Sequence, residues 1–288
     1  MVCPACHGRT FRPAIPAGEI ARQVRIRERL LSGAADPLPD RVRFVQDDIV
    51  DLLCCRRCHT LRRDVPAGDA VERYAADRHV PEDMQRLFDA YVEEYRCREP
   101  QYRGLLAAGA PVLEVGSYVG AFLHVAREWG WHATGVDVNR EVAEFAGSRG
   151  LATRSLPLEA CAFRNAAFDA VFVWNCFEQA PDPAALLREI ARVLRAGGLL
   201  VIRTPNAVYY RLHAALLAAS RRTGVRAPGR AAARALDHHN LLGFPFLYGF
   251  GRRALHQLLS RNGFERAGAR PRGLPAWLEV SYRKQPLS

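Results

Sequence analysis

Lysine is almost absent from this 288-residue chain: Lys284 is the only one, and the other basic residues are arginine. Arginine- and alanine-rich usage of this kind reflects coding bias. The net charge of +11 is therefore weak ground for a nucleic-acid binder until its location is known. Long apolar runs are missing too. No window approaches the roughly 20 apolar residues that a spanning helix needs, which excludes a transmembrane helix. No charged-then-apolar leader opens the sequence, so the expectation is a soluble, cytoplasmic protein. A disulfide framework is disfavoured on the same ground. Acids are missing from one stretch: between Ala207 and Asp237 stand Arg211, Arg221, Arg222, Arg226, Arg230 and Arg234, with no carboxylate before Asp237.

The charge is local. Residues 1–104 sum to +1, residues 105–206 to −1, and residues 207–288 to +11. The whole excess lies in the last part, which implies one basic surface and not a basic coat. The remaining composition, 49% hydrophobic and 25% charged, fits a large globular domain with a small module attached.

Five of the eight cysteines form two N-terminal knots, Cys3-Pro4-Ala5-Cys6 and Cys54-Cys55-Arg56-Arg57-Cys58. Two C-x-x-C pairs let four thiolates converge on Zn²⁺, each pair making a tight knuckle. Cys3, Cys6, Cys55 and Cys58 are the expected ligands of a structural, zinc-ribbon-like site. Cys54 is an alternative to Cys55, and His7, His59 and His79 are weaker candidates. The 48 residues between Cys6 and Cys55 are long for a ribbon and hold a helical pattern over Glu19–Leu31. Cys97, Cys161 and Cys176 read as buried apolar thiols.

Residues 69–108 read as a helical connector. Tyr74, Met84, Leu87, Phe88, Tyr91, Val92 and Tyr95 recur at helical spacing, with Pro81 opening a helix and Pro100 ending one. Tyr209 and Tyr210, at helical spacing with Leu212, Leu216 and Leu217, read as core. From Pro111 the period changes. Apolar runs at 111–115, 133–137, 168–174 and 199–203 alternate with helical stretches at 121–129, 140–149 and 186–194, the last stopped by Gly197-Gly198. That alternation predicts an α/β fold with a parallel, doubly wound sheet. The ligand of such a sheet sits at the carboxyl ends of its strands. Gly116 makes the turn after the first strand, and Asp137 ends the next, 21 positions on. An acid there can accept two ribose hydroxyls, so a nucleoside-containing cofactor is implied.

Four motifs carry a resemblance over residues 110–288: Val112-Leu113-Glu114-Val115-Gly116-Ser117-Tyr118-Val119-Gly120; Gly135-Val136-Asp137; Phe168-Asp169-Ala170-Val171 running on to Pro183; and Arg192-Val193-Leu194-Arg195-Ala196-Gly197-Gly198-Leu199-Leu200-Val201-Ile202. The sequence resembles the class I S-adenosylmethionine-dependent methyltransferases. The resemblance implies a Rossmann-like seven-stranded sheet closed by an antiparallel hairpin. It also implies domain limits: a zinc-ribbon-like module at 1–68, the connector at 69–108, and the methyltransferase domain at 109–288 with a basic lid insertion at 207–250. Gly116, Ser117, Tyr118 and Gly120 would shape the loop at the methionine part, and Glu114 would hold its ammonium, through water if not directly. Asp137 would take the ribose, Val138 and Leu156 would flank the adenine, and Asn175 and Cys176 would face the sulfonium. Three departures stand out: Tyr118 replaces a glycine, Ser155-Leu156-Pro157 lacks an acid for the adenine amine, and Glu178-Gln179 replaces a Glu-His pair.

His238 and His239, beside Phe244, Phe246, Tyr248 and Phe250, are candidates for the catalytic base, and Glu178 for acid–base work. Packing or helix capping is the plainer role for the two histidines. The insertion's arginines could grip phosphate bidentately. A zinc knot before such a domain resembles families acting on nucleotide-linked deoxysugars or on ribosomal RNA. The long Cys6–Cys55 spacing favours the former. The absence of a tail domain and of the Glu-His histidine counts against a close sugar C-methyltransferase. The expected acceptor is small, anionic and phosphate-bearing: a sugar nucleotide, a glycan or a secondary-metabolite precursor. Ribosomal or transfer RNA is the second expectation, although no aromatic row alternates with arginine to stack bases. An inactive cofactor-binding partner protein is the third, and peripheral contact with a membrane surface stays open.

Overall fold

A computed structural model describes residues 2–31, 49–65, 67–239, 246–267 and 276–286, with the side chains of 26–31, 67–70 and 236–239 outside that description. The chain begins with β1 (Phe11–Ile15), α1 (Ala17–Leu31), β2 (Leu52–Cys55) and β3 (Leu61–Arg63). β2 pairs antiparallel with both β1 and β3. The expected helix in the Cys6–Cys55 interval is α1, and it buries Ile20 and Val24 against Ile15 and Leu52.

Two connector helices follow, α2 (Ala67–Ala75) and α3 (Pro81–Arg96). Pro81 opens α3, where its missing N–H costs nothing. Pro100 does not end a helix: it lies in the first turn of the short α4 (Glu99–Tyr102), and α3 has already stopped at Arg96. The apolar stripe Met84, Leu87, Phe88, Val92 and Tyr95 packs on Phe122 and Trp174 of the next layer. Each such side chain contributes about 1.5–3 kcal/mol on full burial. Cys97 is exposed and not a core thiol, since it follows the end of α3.

The large sheet is then built by β4 (Pro111–Val115), α5 (Ala121–Glu128), β5 (His132–Val136), α6 (Arg140–Gly147), β6 (Ala152–Arg154), β7 (Phe168–Trp174), α7 (Pro183–Val193) and β8 (Leu194–Pro205). Contrary to expectation, Gly197-Gly198 does not separate helix from strand: β8 starts directly after α7 and contains the pair, with a register shift against β7. The chain continues through α8 (Ala207–Thr223), α9 (Arg226–His239), β9 (Tyr248–Gly249), α10 (Arg252–Arg261), β10 (Phe264–Arg266) and β11 (Trp277–Lys284). The seven strands run in the order β10-β11-β8-β7-β4-β5-β6. β4 to β8 pair in parallel, and β10 and β11 close the edge antiparallel. This is the Rossmann-like, doubly wound arrangement. The order reverses at β4, whose carboxyl end is therefore the crevice a ligand would enter.

None of the described residues of the insertion after β8 lines that crevice. α8 and α9 form a helical pair that packs on β1 and α1, and β9 extends the N-terminal sheet by pairing with β3. The Arg63 guanidinium donates to the Phe246 carbonyl at 3.2 Å from 183 positions away in sequence. Leu212 and Leu216 are exposed on α8, whereas Tyr210 is buried, so only part of the apolar stripe expected as core is core. No described helix is long and apolar enough to cross a membrane.

Candidate active site

The carboxyl end of β4 opens into a cavity of about 440 Å³. Of the expected cofactor residues, Glu114, Gly116, Ser117, Tyr118, Asp137, Val138, Leu156, Asn175 and Cys176 all line it. Gly120 does not. It caps α5 in a left-handed conformation, and a Cβ there would lie 2.8 Å from both Ala146 and Leu151 side chains. Its role is to let α5 start beside α6.

Three features shape the floor. Gly116 has φ +73, and a Cβ on it would stand 2.5 Å from the Cys176 sulfur. Only glycine allows this close approach of loop and neighbouring strand end. Tyr118 and Asn175, neither of them glycine, also have positive φ, 46 and 52. Strained backbone on both sides of one cavity is held by specific bonds. The Tyr118 N–H donates to Asp137 Oδ2 at 2.9 Å, and the Asn175 carbonyl accepts from Gln179 Nε2 at 2.9 Å.

The electrostatics point to a cation and a polyol. Glu114 is 2% exposed, and its Oε2 has no hydrogen-bond partner. Burial first, then the nearby Asp137 charge, hold its carboxyl well above the usual range. A buried carboxyl of this kind gains from a cation brought into the cavity. Asp137 accepts N–H bonds from Tyr118 and Asn139, both at 2.9 Å, and lines the cavity. Ser117 Oγ and Asn175 Oδ1 are buried without partners. These donors and acceptors fit an ammonium and a ribose diol, with Val138 and Leu156 as apolar walls.

A family model described as a methyltransferase domain matches residues 77–267. The chain belongs to the S-adenosylmethionine-dependent methyltransferases. It is 30% identical over 172 residues to the C-methyltransferase NovU of Streptomyces niveus, covering 55% of this chain and 38% of that protein. It is 34% identical over 106 residues to a ubiquinone biosynthesis O-methyltransferase of Xanthomonas oryzae, covering 34% of this chain and 44% of that one. The chain thus spans less than half the length of these two curated relatives. Among solved structures, the PH0226 protein of Pyrococcus horikoshii shares the fold, with a TM-score of 0.50 at 15% identity over 68% of this chain and 91% of that one.

The methyltransferase cavity has a second wall that the sequence reading missed. Val71 and Tyr74 of α2 and Tyr91 and Tyr95 of α3 line it, so the connector roofs the site. The signal was tyrosine in place of leucine along the helical stripe. Tyr95 lies deep; burial first, then the Glu114 charge, push its phenol well above its usual value, and it stays protonated.

Of the expected catalytic residues, Glu178 alone has a described side chain. Glu178 is 3% exposed and outside the cavity lining. The short turn Phe177–Gln179 aims Gln179 at the cavity, while Phe177 is buried in the core and the Glu178 carbonyl accepts from Leu247 N–H. His238 and His239 end α9, and their side chains lie outside the described residues, as does Phe244. No described arginine, lysine or histidine lines the cavity.

The N-terminal cysteines form a second constellation. The sulfurs of Cys3, Cys6, Cys55 and Cys58 all lie within 4.8 Å of one another. The two knuckles are built alike. The N–H of His7 donates to Cys3 O and that of His59 to Cys55 O, and both histidines adopt positive φ. Neither histidine, nor His79, joins the cluster. Cys54 is not part of the cluster: its sulfur lies 3.7 Å from the Cys55 carbonyl. The hydrogen bond from the Cys3 thiol holds Cys58 down to about 4, and burial pushes Cys6 up to about 11. Four soft donors in a closed set fit a tetrahedral zinc ion with no open position for catalysis.

Proposed function

We propose that this methyltransferase acts on a small acceptor whose reacting part is uncharged, flat or apolar, and bears an acidic hydroxyl. The observation that carries this reading is the tyrosine wall of α2 and α3, facing a cofactor floor with no described cationic side chain. Bound S-adenosylmethionine supplies an electrophilic methyl carbon on a sulfonium. The chain's own task is to align the acceptor behind that carbon and exclude water. Two of the carboxylates on the rim are engaged, Asp182 capping α7 and Glu189 pairing with Arg192, and Glu159 stands on the rim as well. With no described histidine in the lining, an acceptor that gives up its proton readily, as a phenol or enol does, fits the site best. The anionic portion expected from the +11 of residues 207–288 finds no partner inside the cavity, and a phosphate on the acceptor would extend beyond it. The cysteine cluster is proposed to hold structural zinc.

The test is methyl transfer from labelled S-adenosylmethionine to phenolic acceptors, sugar nucleotides and RNA in parallel. Label on phenolic acceptors is the expected result. Label on RNA alone would overturn the reading of the acceptor and leave the family assignment intact.

A further inference from the structure

A second cleft of about 880 Å³ lies where the Cys55–Cys58 knuckle meets α8 and α10. It shares no lining residue with the cofactor cavity. Its walls carry Arg57 from the knuckle, Arg211 from α8, and Arg252, Arg253 and Arg261 from α10, with His59 and His256 beside them. No carboxylate lines it among the described residues, and none of the five arginines makes an ion pair there.

Elsewhere several arginines are neutralised. Arg96, Arg98, Arg103, Arg140, Arg192 and Arg203 each hold a glutamate. Five unpaired guanidiniums around one hollow repel one another and concentrate positive potential in it. Two are fixed by the backbone. Arg57 Nη1 donates to the Cys6 carbonyl at 3.2 Å, and Arg261 Nη1 donates to the Ala5 carbonyl at 3.1 Å. Each guanidinium has five N–H donors, so one such bond leaves the others for a ligand. Those two bonds also hold the arginines in place before anything binds, which lowers the entropic cost of binding.

We propose that this cleft binds a polyphosphate group, either as inorganic polyphosphate or as the diphosphate of a nucleotide. Several adjacent phosphate charges match several adjacent guanidiniums, each able to bond phosphate oxygens bidentately. A single carboxylate or an apolar group would leave most of those charges uncompensated. The site joins the knuckle to the methyltransferase domain, so its ligand bridges the two. The inference does not depend on the acceptor proposed above.

Isothermal titration of the full chain with inorganic tripolyphosphate, at about physiological ionic strength, is the test. Saturable binding is expected. Arg252→Gln/Arg253→Gln should weaken it at least about tenfold, since it removes two charge-assisted contacts. Arg140→Gln, which alters an exposed pair with Glu144, should leave it unchanged. S-adenosylhomocysteine titrated into the double variant should bind as in the parent, which shows that the variant is folded. Uridine diphosphate binding more tightly than tripolyphosphate would support a nucleotide source, and the reverse order would support free polyphosphate. Failure of tripolyphosphate to bind, or equal binding by the double variant, would overturn the proposal. So would tight RNA binding that tripolyphosphate fails to displace.

Discussion

The carboxylate of Asp137 accepts the backbone N–H of Tyr118 at 2.9 Å, across the mouth of the cofactor cavity. That bond holds Tyr118 at a φ of 46, which a bulky residue rarely adopts, and we propose the same carboxylate for the ribose. The second oxygen ties down Asn139 in the same way. Asp137→Asn keeps the shape but turns an NH₂ group toward one of these N–H donors. We expect S-adenosylhomocysteine binding to weaken at least about tenfold, with a stability loss of about 1–3 kcal/mol. Calorimetric titration and denaturant unfolding check the two halves. Full affinity in the variant would remove Asp137 from the ribose site.

Asp137 and Gly116 were legible because each obeys a local rule: an acid ending a strand, a glycine in the turn before a helix. The two C-x-x-C knuckles were legible for the same reason. The tyrosine wall was not. Tyr91 and Tyr95 repeat as any core stripe does, and only the docking of α3 over the end of β4 turns their edges toward the cavity. Nor could local pattern place residues 207–239. Their position depends on β9 pairing with β3 across more than 180 residues, a contact no short-range periodicity encodes. Cys97 failed on a boundary: one residue past the end of α3 it faces solvent.

Glu114 should make the unliganded protein sensitive to pH. Its folded-state pKa is raised by burial and by Asp137, so ionisation is disfavoured in the fold relative to the unfolded chain. Its contribution is fully present below the unfolded value of about 4.5 and is lost as pH rises through the folded value. Glu114→Gln cannot ionise. It should raise the melting temperature of the free protein at high pH, with the gain shrinking as pH falls toward 5, as melting curves across that range would show. Cofactor affinity should move the other way, because the ammonium loses its counter-charge. A variant that bound S-adenosylhomocysteine as tightly as the parent would refute the ammonium role.

Gly116→Ala should be damaging for two separable reasons. The new Cβ would lie 2.5 Å from Cys176 Sγ and 2.7 Å from its Cβ, and the backbone φ of +73 is unfavourable for alanine. The combined cost is on the order of 2–4 kcal/mol, of which about 1–2 is conformational. Adding Cys176→Gly removes the clash and leaves the conformational part. The double variant should therefore regain roughly half of the lost stability by chemical denaturation. No recovery would mean that the Cys176 contact is not what requires glycine.

Zinc should be needed by one part of the molecule and not by the other. One equivalent per chain should be released on thiol modification with a colorimetric chelator present. Cys55→Ser should lose it and Cys54→Ser should keep it, since only the former sulfur belongs to the cluster. Removal should lower the melting temperature by roughly 5–10 °C, as expected when several kcal/mol of metal-linked folding is withdrawn. The knuckles carry Arg57 and position Arg261, so tripolyphosphate binding should fail with the metal. The cofactor cavity takes every lining residue from 71–189, beyond the cysteine knots. S-adenosylhomocysteine should therefore still bind to the metal-stripped protein below its lowered melting temperature, and joint loss of both ligands would show that the zinc module supports the cavity as well as the cleft.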